Sequence, residues 1–236
     1  MPQIVTVCLP AGPDKPAVRL GHEAKTAYIR ALSASTPATI AVASPDYANN
    51  PYPHFVHTAN RRSRGELFAP REHLAAGGPV RLLNLGWMAQ HNATVHRRRW
   101  HVWRQVVQGT RDAQPLWRFV DRHLTTPKRG YSLEQAHRDF RAQPRIAAME
   151  IYNNSGRAVT PLPLDHLEAF QVGCEAYVEL GYHTAVPGNA MVALGGQIFE
   201  CRPNQPLSQL WEFMKFAAIA MRQMSPDDCM VALLEH

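Results

Sequence analysis

The stretch FQVGCEAYVEL, residues 170–180, carries apolar side chains at every even position: Phe170, Val172, Cys174, Ala176, Val178 and Leu180. That alternation is the period-two pattern of a strand with one buried face. A helix running through Leu164, Leu167, Phe170, Cys174 and Tyr177 fits the same residues, but the strand is the preferred reading. As a strand it leads through the turn VPGNA (186–190) into MVALGGQIFECR (191–202), the returning arm of a hairpin. PLSQLWEFMKFAAIAMRQM (206–224) then reads as a helix with Leu207, Leu210, Trp211, Met214, Ala218 and Met221 on one face, and CMVALLE (229–235) as a closing strand. RIAAMEIYN (145–153) adds a strand signal ahead of them.

The first half opens in a related way. QIVTVCL (3–9) is β-branched and apolar, and GHEAKTAYIRAL (21–32) spaces Ala24, Tyr28, Ala31 and Leu32 along one helical side. TPATIAVAS (36–44) and PVRLLNLGWM (79–88) read as further strands. Between them runs a long Pro- and Asn-rich loop, PDYANNPYPHFVHTANRRSRG (45–65), of a length that often carries function. The expected fold is α+β, with two ferredoxin-like halves of the split βαβ plan at residues 1–90 and 146–236 and a helical insertion at 91–145.

That insertion holds most of the chain's electrostatic character. Residues 91–145 contain eleven arginines and Lys128 against Asp112, Asp121, Glu134 and Asp139, a net +8 in a chain whose total is +6. TVHRRRWHVWRQVVQ (94–108) reads as a helix with Val95, Val102, Trp103 and Val106 inward and Arg97, His101 and Arg104 outward. Pro115 suits the first turn of a second helix, which carries Arg118 and Arg122. Ser132 and Gln135 resemble a capping box for a third, which carries Arg138 and Arg141.

Guanidiniums grip phosphates bidentately and stack on bases, so an arginine face points to RNA or another phosphate polymer. The expected RNA-binding set is Arg61, Arg62, Arg64, Arg97, Arg98, Arg99, Arg104, Arg111, Arg118, Arg122, Lys128, Arg129, Arg138 and Arg141, with Trp100, Trp103 and Trp117 nearby for stacking. The competing readings are a solvated face neutralised by acidic residues elsewhere, or an adaptor for an acidic protein.

Metal binding is not expected. His91, His96 and His101 are five residues apart and turn away from one another on a helix. Metal-free RNA cleavage needs a base for the 2′-hydroxyl, an acid for the leaving oxygen and a cation for the developing charge. His54 and His57 suit the first two roles, and Tyr28, Lys25 and the loop arginines suit the third. No cofactor is expected either, because ALGGQ lacks the lysine and spacing of a phosphate-binding loop. Four dispersed cysteines fit a reducing cytoplasm, and no apolar run approaches the length of a membrane span.

The order of these segments, with the helix bearing an inward tyrosine, the NPYPHF loop (50–55) and the terminal strand–helix–strand, resembles the CRISPR RNA-processing endonucleases of the RAMP superfamily. The arginine-rich insertion is similar to the arm of the type IV system member. The resemblance implies a metal-independent cut of precursor CRISPR RNA beside a repeat hairpin, leaving a 2′,3′-cyclic phosphate. It also implies retention of the product in a complex with other ribonucleoprotein subunits. A non-catalytic RNA-binding subunit is the alternative.

Overall fold

The computed structural model describes residues 3–12, 17–35, 50–125, 130–201 and 205–235. The strand expected over 36–44 lies outside them, as do Lys128 and Arg129. The chain divides into two compact units, the first comprising Met1–His91, Tyr182–Cys201 and Glu212–His236 and the second Asn92–Gly181 with Arg202–Trp211.

The strands are β1 (Gln3–Leu9), β2 (Asn50–Pro51), β3 (Phe55–Val56), β4 (Leu74–Ala75), β5 (Gly77–Pro79), β6 (Ala190–Val192), β7 (Ile198–Glu200) and β8 (Cys229–Glu235). All belong to unit 1. The main sheet runs β2-β8-β1-β6-β7, with β5 also paired to β8, while β3 and β4 form a separate ribbon. The central strand is β1, antiparallel to β8 and parallel to β6.

Register explains the core. Val5, Val7 and Leu9 lie opposite Leu233, Val231 and Cys229, so both strands present these side chains to the same face. Helix α1 (Ala17–Ser35) supplies Leu20, Ala24, Tyr28 and Ala31 to that face, at the expected helical spacing. The opposite face carries Thr6, Cys8, Met191, Met230 and Ala232, also buried, and the Thr6 hydroxyl donates to the Val186 carbonyl at 3.1 Å. A strand buried on both faces has no polar side to alternate with, which is why QIVTVCL is apolar almost throughout.

The structure is α+β, as expected, but the two ferredoxin-like halves are not seen. The first and last strands of the chain pair over seven residues, so segments 1–90 and 146–236 build one sheet together. Moreover β1 and β6 are direct parallel neighbours, whereas a split βαβ plan leaves a strand between such a pair. The helical insertion also extends beyond 145, because unit 2 runs to Gly181.

The cause lies in residues 145–184, which are helical throughout their regular elements. Unit 2 contains α2 (Leu85–Val106, from Asn92 onward), α3 (Leu116–Thr125), α4 (Leu133–Arg141), α5 (Pro144–Asn154), α6 (Leu167–Val172) and α7 (Cys174–Thr184, to Gly181). Leu167, Phe170, Tyr177 and Leu180 are essentially inaccessible, while Val172 is 62% exposed. Tyr177 decides the matter: the strand reading turns this odd-numbered residue to solvent, and burying its ring outweighs the alternation of smaller side chains. Gly173, at φ 138°, separates α6 from α7 in a conformation that other residues rarely adopt. Likewise RIAAMEIYN forms α5, with Pro144 in its first turn and Arg145, Ile146 and Met149 buried. PVRLLNLGWM forms a short 3-10 turn and the start of α2, where the Asn84 side chain accepts the Trp87 N–H at 3.2 Å. Ser132 caps α4 as expected, accepting the Gln135 N–H at 3.0 Å, but the Gln135 amide turns to Asp139 instead of back to the cap.

Asp228 locks the sheet's ends. Its two carboxylate oxygens accept the N–H groups of Ala11 and Ser225, each at 2.7 Å. Burial alone would raise its carboxyl, but these donors outweigh that and hold it below the ordinary carboxylate range. Asp228→Ala removes the acceptor of two partly buried main-chain donors, on the exposed residues Ala11 and Ser225, and should cost about 1–3 kcal/mol in urea unfolding at pH 7. In the parent protein this contribution is present above the unfolded value near pH 3.9 and is lost as pH falls through the lower folded value. Unfolding curves from pH 6 to pH 2 check the sign, and an Asp228→Ala difference that does not shrink toward pH 2 would contradict it.

Candidate nucleic-acid interface

Helix α2 has a dry side and a wet side. His96, Trp103 and Val107, just past its end, are buried; Arg97, Arg98, His101, Arg104 and Gln105 are exposed. The Trp103 ring stacks on Phe170 at 5.1 Å and 6°, and the Trp100 indole N–H donates to the Phe170 carbonyl at 3.0 Å. Trp103 thus lies in the core, as its place in the apolar stripe suggests, and Trp100 is also engaged with α6 but is only half-buried. The Trp103 indole N–H is buried and has no acceptor among the described residues. Trp117 donates to Glu168 at 3.1 Å and remains half-buried.

The guanidiniums fall into distinct environments. Arg97 meets both oxygens of Glu175 at 3.0 and 3.3 Å, Arg138 meets Glu134 at 3.1 Å, and Arg141 meets Glu150 at 3.3 Å. Arg104 stands over the Trp100 ring at 5.5 Å, Arg118 over Trp117 at 5.2 Å and Arg122 over Tyr131 at 4.5 Å. Arg99 is half-buried against the Thr160 hydroxyl and the Tyr177 phenol, both at 3.4 Å. Arg98 and Arg111 are exposed and make no ion pair, hydrogen bond or ring contact among the described residues.

The local +8 is thus partly answered. Residues 146–181 bring Glu150, Asp165, Glu168, Glu175 and Glu179 against Arg157, a net −4. Exposed ion pairs of the Arg138–Glu134 kind contribute little to folding, so they can exchange for phosphate. Arg98, Arg104, Arg111 and Arg118 make no ion pair among the described residues and keep their full charge.

The expected catalytic residues lie in unit 1 and do not form one cluster. Tyr28 is 4% exposed in the hydrophobic core, which closes it to a phosphate chain, and Lys25 lies half-buried on α1. His54 and His57 flank β3 three positions apart, so strand alternation sends their rings to opposite faces. The His54 Nε2 meets the Val186 carbonyl at 3.0 Å, whereas His57 Nε2 meets the Arg71 carbonyl at 3.3 Å. Burial lowers the His54 pKa, against the opposing pull of the Val186 and Ala185 carbonyls. The same Arg71 carbonyl accepts from Arg64 at 2.9 Å, so His57 and Arg64 do share a neighbourhood, and His57 Nδ1 is buried without a partner among the described residues. Arg61 and Arg62 are exposed on a turn that Asn60 organises by accepting the N–H groups of Arg62 and Ser63.

Two arrangements escape sequence reading because their members are far apart in the chain. In the first, His166 Nδ1 contacts the Tyr177 hydroxyl at 2.9 Å, and His96 packs on the Tyr177 ring at 4.7 Å. Burial pushes His96 down to about 4 and Tyr177 up to about 12, and it also lowers His166. These three groups are neutral near pH 7 and serve as a polar core, not as an acid–base pair matched to that pH.

The second is centred on Arg145, 8% exposed. It donates to the Thr110 hydroxyl at 3.1 Å, the Thr110 carbonyl at 2.9 Å, Asp112 at 2.6 Å and Gln171 at 2.9 Å, and its guanidinium lies 5.5 Å from the Trp103 ring centre. The Gln171 amide in turn spans the Ala113 N–H and carbonyl. Above this network opens a hollow of about 340 Å³ lined by Trp100, Arg104, Gln108 and Asp112 among others.

Arg145 is therefore a structural cation and not part of the outward face. Arg145→Ala should destabilise unit 2 by about 2–4 kcal/mol, given hydrogen bonds to a charged group of about 1.5–3 kcal/mol. Arg145→Lys should recover little of it, since an ammonium cannot reproduce the planar fork. Urea titration followed by tryptophan fluorescence checks both, and a wild-type midpoint for either variant would contradict the assignment.

No protein-family model, no curated protein and no solved structure matches the chain. The α+β fold is established by the topology alone, and among the described residues no helix is long and apolar enough to cross a membrane.

Proposed function

We propose that unit 2 binds a structured RNA through the outward faces of α2 and α3, the loop between them, and α4. The observation that carries this reading is the set Arg98, Arg104, Arg111 and Arg118, exposed cations on one helical unit with no carboxylate partner among the described residues. Two of them rest on tryptophan rings, which orders the side chain while leaving the guanidinium edge free for a phosphate. Arg97, Arg138 and Arg141 join by exchanging surface carboxylates for phosphates. The resemblance to CRISPR RNA-processing endonucleases gives the RNA a class, a repeat hairpin, with other ribonucleoprotein subunits as partners.

Cleavage of the bound RNA is the second part of the proposal. The burial of Tyr28 and the divergence of His54 from His57 favour the non-catalytic subunit, while His57 beside Arg64 at the Arg71 carbonyl favours a metal-independent cut. In the latter, an imidazole takes the 2′-hydroxyl proton, the 2′-oxygen bonds to phosphorus, and the 5′-oxygen departs with a proton.

Four to seven phosphate contacts should weaken hairpin RNA binding by about 10²- to 10⁴-fold between 50 and 200 mM salt. Filter binding of the full chain in EDTA measures this, and a nearly flat salt response would contradict RNA binding. Replacing Arg98, Arg104, Arg111 and Arg118 together by alanine should remove most of that slope. In the same tubes, product ending in a 2′,3′-cyclic phosphate that disappears in His57→Ala supports cleavage, and intact RNA assigns the protein as a binding subunit.

A further inference from the structure

We infer that the hollow above Arg145 receives a single unpaired nucleotide, its base stacked on Trp100 and its exocyclic amine donated to Asp112. The inference rests on the RNA-binding reading and adds a distinct subsite to it.

Size comes first. A hollow of about 340 Å³ lies near the lower end of small-ligand sites, with room for one nucleotide. Its wall is aromatic on one side, where Trp100 keeps a partly open face with the exposed Arg104 over it. A base on that face exceeds an exposed cation–π contact in strength, so it displaces Arg104 from the ring toward the nucleotide's own phosphate.

The other side is polar and held firmly in place. Arg145, buried, donates to the Asp112 Oδ1 at 2.6 Å, while the Asp112 side chain is 85% exposed. One carboxylate oxygen is thereby committed to the fold, and the other, on a residue that lines the hollow, has no hydrogen-bond donor among the described residues. Gln171, fixed by its own bonds to Ala113 and Arg145, keeps Arg145 from following the ligand. An acceptor fixed in this way discriminates among bases. Adenine, cytosine and guanine offer an exocyclic amine, whereas uracil carries carbonyl acceptors at both exocyclic positions and has only its ring N3–H, set between them, to donate.

Quenching of tryptophan fluorescence by octamers of rA, rC and rU, with AMP, CMP and UMP in parallel and a hairpin with a long stem and a minimal uridine loop as control, tests this on the full chain. The expected result is about tenfold tighter binding of rA and rC than of rU, with the same order among the mononucleotides if the subsite accepts free nucleotides. Trp100→Ala should weaken every single strand by about tenfold or more. In Asp112→Asn, Arg145 retains the amide oxygen and the NH₂ turns outward, so the preference should shift toward rU; circular dichroism verifies that this variant is folded. Equal affinity for rA and rU in the parent, or an unchanged preference in folded Asp112→Asn, overturns the inference. Tight, salt-sensitive binding of the hairpin with no single-strand binding defeats the subsite and leaves the RNA-binding reading standing, whereas failure of both defeats both.

Discussion

A continuous stack of rings holds unit 2 together, and the placement of its charges follows from it. The Arg145 guanidinium lies on Trp103, Trp103 stacks on Phe170 at 5.1 Å, Phe170 meets Tyr177 at 4.2 Å, and Tyr177 meets His96 at 4.7 Å. The stack ties α2 to α5, α6 and α7, so the inward side of α2 is fixed by aromatic burial, which outweighs any single surface interaction. With His96 and Trp103 turned in, helical geometry leaves Arg97, Arg98, His101 and Arg104 to solvent. Even the close approach of α7 is part of this: a Cβ on Gly181 would lie 2.4 Å from the His96 ring.

The electrostatics of the unit follow from the same packing. Since α5 and α7 must cover the ring stack, their acidic residues come within reach of α2 and α4, and Glu175 and Glu150 take up Arg97 and Arg141. What results is a graded surface and not a uniform cationic wall. Some cations are exchangeably paired, some are parked on rings, and Arg98 and Arg111 face solvent alone among the described residues. Such a surface suits a polyanion whose phosphates compete with weak carboxylate pairs, because exchange at Arg97 and Arg138 leaves the well-exposed Glu175 and Glu134 behind.

Much of the fold is legible in the chain where one element's periodicity is enough. QIVTVCL, GHEAKTAYIRAL and CMVALLE appear as read, and Ser132 begins its helix by the capping interaction its neighbours suggest. The long helix near the carboxyl end also forms, but it buries Phe213, Met214, Ala217 and Ala220, so of its expected face only Met214 is fully inside. Legibility ends where distant residues decide. FQVGCEAYVEL alternates like a strand, yet Tyr177 is called inward by Phe170 and His96, which no local pattern reveals. The order of the sheet depends on pairing the first strand with the last, a contact with no local signature. For the candidate site, the surface arginines of α2 are legible from the helix pattern, whereas the inward turn of Arg145 and the burial of Tyr28 depend on their tertiary neighbours.

The central claim is that a polyanion lies on the arginine side of α2 and α3. Hydrogen–deuterium exchange of the full chain with and without a hairpin RNA tests it most directly. The account predicts slowed exchange concentrated between residues 97 and 125, with the strands of unit 1 unchanged. Protection confined to unit 1, or none at a concentration where RNA is bound, would contradict it.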